Sequence, residues 1–316
     1  MNLLGFDIGG TKCAVISGSF IDGEIEIIDK KKISTDLSVA PEAMIDTLID
    51  LAKSLKKNGD FEAAGISCGG PLSSKDGVIL GPPNLIGWNH VEIVKQIKDA
   101  FKIPVFLQND ANACAVAEWK FGAAKGCDNA VFLTFGTGLG AGLIIDGKLY
   151  SGTNDNAGEC GHIRLEKFGP VGFHKAGSFE GFCSGGGLAQ LGYQMALEQV
   201  QQGNYPIYFK PGMKAEDVTA KTIADAADAG DETAINVYKT CGTYLGKGLS
   251  ILIDILNPQK IVIGSIYARS ENLLAEACKE EIDKEALSAA AAVCEVVPAK
   301  LSEKIGDYAA IATALL

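Results

Sequence analysis

The sequence predicts an α/β fold made of two related halves, and two observations support this prediction. Short apolar runs alternate along the chain with segments of helical periodicity, which is typical of α/β architectures. A unit made of a strand, a glycine-rich turn and a second strand occurs twice, at 3–16 and again at 130–145. This repetition favours a duplicated fold with a cleft between its halves.

The first half is predicted from apolar periodicity and from turn residues. A helix is expected from Pro41 to Leu55, because Met44, Ile45 and Leu48 recur at the spacing of one helix face. Glycines and prolines separate the other segments, such as the turn at 69–71. The remaining predicted segments are strands at 3–6, 13–16, 25–33, 63–67 and 105–107, and helices at 91–101 and 111–119.

The second half repeats the opening pattern and then becomes mainly helical. Strands are predicted at 130–135 and 141–145, on either side of a glycine turn. Proline and glycine at 203–214 indicate a loop insertion. The remaining predicted segments are a long helix at 231–256, a buried strand at 260–263 and a terminal helix at 305–316.

Composition limits the function classes. The chain has 316 residues, of which 47% are hydrophobic, so it can bury a substantial core. Its 28 basic and 39 acidic residues give a net charge of −11, which argues against nucleic acid and anionic membranes as partners. We expect a cytoplasmic protein, because no signal peptide and no membrane-spanning apolar run is recognisable. The nine cysteines include no C-x-x-C pair, which favours reduced thiols.

The turn after the first strand contains Asp7, Gly9, Gly10, Thr11 and Lys12. Glycines in a tight hairpin are explained by their freedom to adopt positive φ. The acid, threonine and lysine are not explained in this way, and they suit a phosphate held against backbone N–H groups. From this stretch alone, an ordinary hairpin and a phosphate loop remain open.

The glycine-rich run at 136–142 resembles a dinucleotide-binding motif. That motif opens a helix, whereas this run leads into an apolar strand, so we reject the dinucleotide interpretation. No G-K-[ST] sequence of a Walker A motif occurs in the chain. If a nucleotide binds, the glycine hairpins are expected to hold its phosphates.

Three further polar clusters are candidate site residues with open alternatives. Asp110 stands between a strand and a helix, as a helix N-cap or as a general base. Asn84 lies in the rigid loop at 82–88, where its amide could contact a polyol or simply belong to a surface turn. Glu159, His162 and Glu180 could bind metal or sugar, or pair with surface cations.

Five stretches together resemble the ROK family of bacterial sugar kinases and sugar-responsive repressors. They occur in the family's order and cover nearly the whole chain. The stretches are FDIGGTK at 6–12, PPNLIGW at 82–88, QNDANA at 108–113, LTFGTGLGAG at 133–142 and GECGH at 158–162.

This resemblance implies an actin-like (ribonuclease H-like) duplicated ATPase fold with two domains, 1–112 plus 297–316 and 113–296, and an interdomain cleft. It implies ATP and Mg²⁺ as cofactors, and Asp110 as the catalytic base. The residues implied in sugar binding are Gly70, Asn84, Asn109, Glu159, His162 and Glu180. The residues implied in binding the phosphates and the nucleotide are Asp7, Gly9, Gly10, Thr11, Lys12, Thr137, Gly138, Gly140 and Gly264.

The sequence departs from the family at its zinc site. Many members hold zinc with the histidine of the GH pair and three cysteines, in the pattern C-x-C-G-x-x-G-C-x-E. Here the cysteines are replaced by Val171, Phe173 and Ser178, so we expect no metal at this site. An apolar cluster of Val171, Phe173, Phe179 and Phe182 is expected to hold the loop instead. Cys160, His162, His174 and Cys183 are chemically able to bind zinc, but their spacing fits no standard pattern.

A second departure is Ser265, which follows Gly264 where the family usually has further glycines near the adenine. Its Cβ restricts the backbone there and is expected to alter the fit of the nucleotide.

The leading hypothesis is an ATP-dependent kinase for a hexose or an N-acetylhexosamine, resembling glucokinases and expected to form a homodimer. A repressor is disfavoured, because only five residues precede Phe6 and the chain is acidic. A catalytically inactive sugar-binding or regulatory protein is the alternative, suggested by the lost cysteines and by Ser265. The sequence does not name the sugar.

Overall fold

The computed structural model describes all 316 residues, and the chain folds into two compact units. Unit 1 consists of Met1–Asp128, Gly142–Ala157 and Lys300–Leu316. Unit 2 consists of Asn129–Ala141 and Gly158–Ala299. These limits differ from the expected domains, because 113–128 and 142–157 belong to unit 1. No helix is both long enough and apolar enough to cross a membrane.

The chain forms fifteen strands and eleven α-helices. The strands are β1 Asn2–Ile8, β2 Lys12–Ile21, β3 Glu24–Ser34, β4 Ala63–Cys68, β5 Leu72–Ser73, β6 Val78–Leu80, β7 Asn89–Val91, β8 Val105–Asn109, β9 Ala130–Phe135, β10 Leu139–Ile145, β11 Lys148–Tyr150, β12 Val171–Gly172, β13 Lys175–Ala176, β14 Lys260–Ile263 and β15 Glu295–Pro298. The helices are α1 Pro41–Lys53, α2 Ile93–Phe101, α3 Asp110–Phe121, α4 Phe179–Phe182, α5 Gly185–Gln201, α6 Ala220–Asp228, α7 Glu232–Leu256, α8 Ile266–Arg269, α9 Glu271–Glu285, α10 Ser288–Ala291 and α11 Ile305–Thr313.

The main sheet of unit 1 has the strand order β3-β2-β1-β4-β8. β1 is antiparallel to β2 and parallel to β4, and β4 is parallel to β8. The register pairs Ile8 with Cys68 and Cys68 with Asn109, so the three parallel strands end at the same level. The residues that follow these strands therefore lie along one edge of the sheet, where open α/β sheets bind ligands.

A second sheet has the same arrangement, with the order β11-β10-β9-β14-β15. Its strands β9, β14 and β15 are parallel, and Ile263 pairs with both Leu133 and Pro298. The strand order repeats that of the first sheet, as the duplicated sequence pattern predicts. The glycine turn after β9 and Ser265 after β14 thus lie at the same edge of this sheet.

Helices cover both faces of the unit 1 sheet. On one face, α1 and α2 bury residues such as Leu48 and Ile97 against Phe6 and Ile66. On the other face, α3 and α11 bury small residues such as Ala310. α11 approaches so closely that a Cβ on Gly65 would overlap its backbone. Each large apolar side chain buried in this way contributes about 1.5–3 kcal/mol.

The predicted segments agree with the structure apart from their ends. Val91 lies in β7, and α2 begins two residues later than expected. β10 begins at Leu139 rather than at residue 141, because the hairpin turn is tighter than the run of glycines suggests. The segment 203–214 is a loop without regular strands or helices, as predicted.

Candidate functional site

The glycine turn after β1 is a compact loop with internal hydrogen bonds. The Gly9 N–H donates to the Lys12 carbonyl oxygen at 3.1 Å. Thr35 supports the turn from β3's end: its hydroxyl donates to the Gly9 carbonyl at 2.6 Å, and its N–H donates to the Thr11 carbonyl at 3.0 Å. Thr35 could not be identified from the sequence, because its role depends on the pairing of β2 with β3. Thr11 and Lys12 are exposed and accessible to a ligand.

The loop that carries Asn84, the candidate polyol contact, packs directly on this turn. A Cβ on Gly10 would overlap the Asn84 carbonyl oxygen, so only glycine permits this approach. Trp88 is fully buried and anchors the loop, while Asn84 itself is exposed. Both asparagine amides lie close to the glycines after β4. If Gly69 had a Cβ, the Asn84 amide would be 3.6 to 3.7 Å from it, and Asn109 Nδ2 would be 3.8 Å from a Cβ on Gly70. Sequence-distant residues thus meet at the edge where β1, β4 and β8 end.

Asn109, and not Asp110, is the N-cap of α3. The Asn109 side chain accepts a hydrogen bond from the Asn112 N–H at 2.9 Å. Asp110 is the first helical residue, and its Oδ1 accepts from the Ala111 N–H at 2.8 Å. The capping alternative for Asp110 is therefore wrong, because the preceding residue fills the cap.

The carboxyl of Asp110 is accessible at the surface, yet desolvation by surrounding protein raises its pKa above the ordinary value. Two backbone N–H hydrogen bonds, one from Ala111, oppose this shift. A raised pKa favours a carboxylate that accepts a proton readily, which suits a general base.

Asp7, like Asp110, is an acid of unit 1 whose pKa is raised. Desolvation by burial, then the charge of Asp307, raise its pKa to about 6, and Asp110 adds a smaller effect in the same direction. Lys30 and Lys32 act in the opposite direction. Lys30 forms an ion pair with Asp307, which links β3 to α11 beside Asp7. The sequence showed the acid but not its partners, which come from two other elements.

The glycine turn of unit 2 contacts the predicted sugar-binding glutamate. The Gly136 N–H donates to the Gly138 carbonyl at 3.1 Å, and the Gly140 N–H donates to Thr134 Oγ1 at 3.1 Å. Glu180 Oε2 accepts from the Leu139 N–H at 3.0 Å and lies 2.7 Å from the position of a Cβ on Gly138. A side chain at 138 would displace the carboxylate.

The GECGH segment packs beside the same turn. Gly158 has φ +92° and its Cβ would overlap the Ala141 carbonyl, so glycine is required there. A 3₁₀ turn over Cys160–His162 follows, and a Cβ on Gly161 would lie 3.3 Å from Glu180 Cβ. Glu159 and Glu180 both raise the pKa of the Cys160 thiol, after desolvation as the main cause. Both glutamates therefore lie near this thiol.

The loop at 163–178 is held by hydrogen bonds rather than by the expected apolar cluster. Two of the four expected members of that cluster, Val171 and Phe173, are not buried. Phe179 and Phe182 are buried, and Phe182 stacks on Tyr244 with ring centroids 3.5 Å apart. Val171 and Phe173 are 49% and 56% exposed, because they stand at a short hairpin that projects from the loop. The Phe173 ring instead contacts the His162 ring edge-on at 5.3 Å.

The side-chain amide of Gln190 on α5 makes two of these hydrogen bonds. Its Oε1 accepts from the Val171 N–H at 2.8 Å, and its Nε2 donates to the Val171 carbonyl at 2.9 Å. Ser178 caps α4, which carries Glu180, by accepting from the Gly181 N–H at 3.0 Å. Sequence reasoning did not identify Gln190, since one glutamine on a helix carries no signal.

No group of three or more histidine, cysteine, aspartate or glutamate side chains is arranged to hold a metal ion. The four alternative ligands do not form a site. Cys183 is buried and its Sγ donates to the Cys241 carbonyl at 3.6 Å, while the His174 ring lies against Phe173.

Unit 2 contains a cavity of about 720 Å³ beside its glycine turn. Its walls come from the turn after β9, the first turn of α5, helix α6 and the segment around α8. Gly264 is not part of its wall, although it follows β14, and a Cβ there would lie 3.1 Å from Phe132. Residues that line the cavity include Gly136, Thr137, Gly185, Asp225, Ser265 and Arg269.

The fold and the two glycine turns define an actin-like ATPase, and comparison with known proteins agrees. A model described as "ROK family" matches residues 3–315. The glucokinase of Halalkalibacterium halodurans is 32% identical over 96% of this chain and 92% of its own length. A ROK family glucokinase from Streptomyces griseus, solved with glucose and AMPPNP, has a TM-score of 0.79 and 28% identity over 100% of this chain and 99% of its own.

The chain belongs to the ROK family. These similarities support an ATP-dependent sugar kinase. A regulator is also similar: the DNA-binding transcriptional dual regulator NagC of Escherichia coli is 32% identical over 71% of this chain and 54% of its own length.

Proposed function

We propose that this protein phosphorylates a hexose or an N-acetylhexosamine with ATP, using Asp110 as the general base. The observation that carries the proposal is the convergence of strand ends in unit 1. It brings Asp110 and Asn109 to the same edge as Asn84 and the glycine turn that starts at Gly9. An acid with a raised pKa, polyol-binding amides and a phosphate-binding turn are the groups that phosphoryl transfer to a sugar requires.

In the proposed reaction, a sugar hydroxyl oxygen attacks the γ-phosphorus of ATP. A bond forms between this oxygen and phosphorus, and the bond to the β–γ bridging oxygen breaks, which leaves ADP. The Asp110 carboxylate accepts the hydroxyl proton. Since its pKa is raised, it is a stronger base than an ordinary surface aspartate.

In unit 1, the side chains of Asn84 and Asn109 and the backbone at Gly70 are the proposed sugar contacts. In unit 2, the proposed sugar contacts are Glu159, His162 and Glu180. Amide side chains can both donate to and accept from sugar hydroxyls, and carboxylates accept from them. The contact of Glu180 with the Leu139 N–H fixes one of its oxygens in place.

The proposed nucleotide contacts are the two glycine turns and the cavity of unit 2. Thr137, Gly138 and Gly140 would face the phosphates, with Gly264 supporting the strand end. The turn from Asp7 to Lys12 would hold the γ-phosphoryl group as it passes to the sugar hydroxyl. Mg²⁺, which the proposal includes, would neutralise phosphate charge near Asp7, whose carboxyl lies close to Asp110. The proposal also includes a homodimer and a cytoplasmic location.

The test is ADP release from Mg·ATP with a panel of hexoses and N-acetylhexosamines. The wild-type protein is compared with Asp110→Asn and with Asp60→Asn, a control that removes an exposed carboxylate. We expect Asp110→Asn to lower kcat by about 10²–10⁴ with sugar binding retained, and Asp60→Asn to have no effect. Wild-type turnover that survives in Asp110→Asn would contradict the assignment of the base.

A regulator that binds sugar without phosphorylating it is the second candidate, and the similarity to NagC favours it. Calorimetry separates the two functions. If a sugar binds but no sugar stimulates ADP release, the regulator is the better interpretation.

A further inference from the structure

The segment between β14 and α8 contains a serine in a backbone conformation that side chains rarely adopt. Ser265 has φ +57° and ψ −113°, which is a region populated mainly by glycine because a Cβ collides with the backbone there. Glycine would remove this strain, yet the chain has serine. Its hydroxyl is the only group that serine adds apart from the Cβ.

The Ser265 hydroxyl faces the cavity of unit 2 and is held by a cation. Arg269 Nη2 donates to Ser265 Oγ at 3.3 Å, and both residues line the cavity. The oxygen thus accepts from the guanidinium, so its own proton can be donated to a ligand atom. A hydroxyl that accepts from a charged donor is polarised and becomes a better donor itself.

The wall around Ser265 is made of backbone from the glycine turn. Ser265 Oγ lies 3.6 Å from the position of a Cβ on Gly136, and the Gly185 N–H donates to the Gly136 carbonyl at 2.8 Å. Thr137 follows in the same wall. The cavity is also lined by the carboxylates of Asp225 and Asp228 from α6, which oppose an anion, and by Lys221 of the same helix, which favours one. Beside the backbone of the glycine turn, Ser265 and Arg269 contribute a hydroxyl and a guanidinium, and these donors suit an anion.

We propose that Ser265 and Arg269 form a donor pair for a phosphate oxygen of the bound nucleotide. The hydroxyl donates one hydrogen bond and the guanidinium supplies the charge and further donors, as arginine commonly does for phosphate. This inference rests on the proposed function, because it takes the cavity to hold a nucleoside polyphosphate. It adds Ser265 and Arg269 to the residues that the sequence predicts to bind the nucleotide.

The test compares nucleotides with and without phosphate, in the absence of sugar. Calorimetry with Mg·ADP and with adenosine is carried out on the full chain and on Ser265→Ala, Ser265→Gly and Arg269→Gln. Lys239→Gln, which removes an exposed cation from α7, controls for the loss of a charge in unit 2. Thermal unfolding is measured on the same proteins.

We expect both serine variants to weaken Mg·ADP binding by about 3- to 10-fold, and Arg269→Gln by about 10-fold or more. Adenosine binding should change by less than about twofold, and Lys239→Gln should bind both ligands like wild type. Ser265→Gly should raise the melting temperature, since it relieves the strained backbone, whereas Ser265→Ala should not. Weaker binding in a variant that is more thermostable cannot arise from partial unfolding.

Three results would overturn the inference. They are equal weakening of Mg·ADP and adenosine, wild-type Mg·ADP binding by both serine variants, and the absence of Mg·ADP binding to the wild-type protein. Because no sugar is present, the failure of every sugar in the kinase assay would leave this test intact. If the wild-type protein phosphorylates a sugar and both Ser265 variants bind Mg·ADP normally, this inference is contradicted but the proposed function is not.

Discussion

Replacing Asp7 by asparagine should stabilise the fold at neutral pH while it impairs the proposed kinase. Desolvation of the partly buried carboxyl opposes its ionisation most, and the charge of Asp307 opposes it further, while Lys30 and Lys32 favour it less strongly. Asparagine has the same shape and no charge. The variant therefore removes the cost of holding a negative charge in this environment.

The magnitude follows from the pKa. An increase from 3.8 to about 6 corresponds to about 3 kcal/mol, since each tenfold change in proton affinity is worth about 1.4 kcal/mol. Partial exposure reduces the expected gain to about 1.5–3 kcal/mol. Below about pH 3 the carboxyl is protonated in both states and costs nothing. As the pH rises from about 3 to about 6, the unfolded state ionises first, so the wild-type protein loses this stability.

The assay is urea unfolding of wild type and Asp7→Asn at about pH 3 and about pH 8, without nucleotide or Mg²⁺. The variant should match wild type at the lower pH and exceed it at the higher pH. Asp50→Asn, which removes an exposed carboxylate of α1, should differ from wild type by less than about 0.5 kcal/mol at both. If Asp7→Asn is no more stable than wild type at the higher pH, the ionised Asp7 carboxylate does not destabilise the fold, and the reasoning is refuted.

Two further predictions concern side chains that hold the site elements in place. Gln190→Leu removes both hydrogen bonds to Val171 and should raise the KM for the sugar about 5-fold or more, with a smaller change in the KM for ATP. Gln194→Leu, on the same helix but bonded only to Glu198, is its control; equal sugar KM values in both variants would contradict a positioning role. Glu118 is fully buried, and its carboxylate accepts hydrogen bonds from two backbone N–H groups. Glu118→Ala should lower the free energy of unfolding, measured in urea, by about 2–4 kcal/mol. Glu118→Gln should lower it less, because glutamine keeps one acceptor.

The order of strands, helices and turns was predictable from the sequence, because it is written in local features. Apolar runs at period two and at helical spacing identified β1–β4, β8–β10, β14, α1–α3, α7 and α11, but not the remaining strands and helices. Glycine identified the turns around Gly10 and Gly138. Their limits were less certain. The cap of α3 depends on which of two adjacent polar side chains, Asn109 or Asp110, points back to the helix, and this is decided by β8 and its register.

Several site features were decided only by tertiary structure, because they join residues far apart in the chain. Asp7 owes its raised pKa first to desolvation by burial and then to the charge of Asp307, which is far from it in sequence. The amide of Gln190 meets Val171 only after α5 has packed against the loop. The expected apolar cluster was wrong because Val171 and Phe173 stand exposed at a short hairpin. The sequence determined which chemical groups are present and where each strand stops; the packing of the elements decided which groups meet and how strongly each one holds its proton.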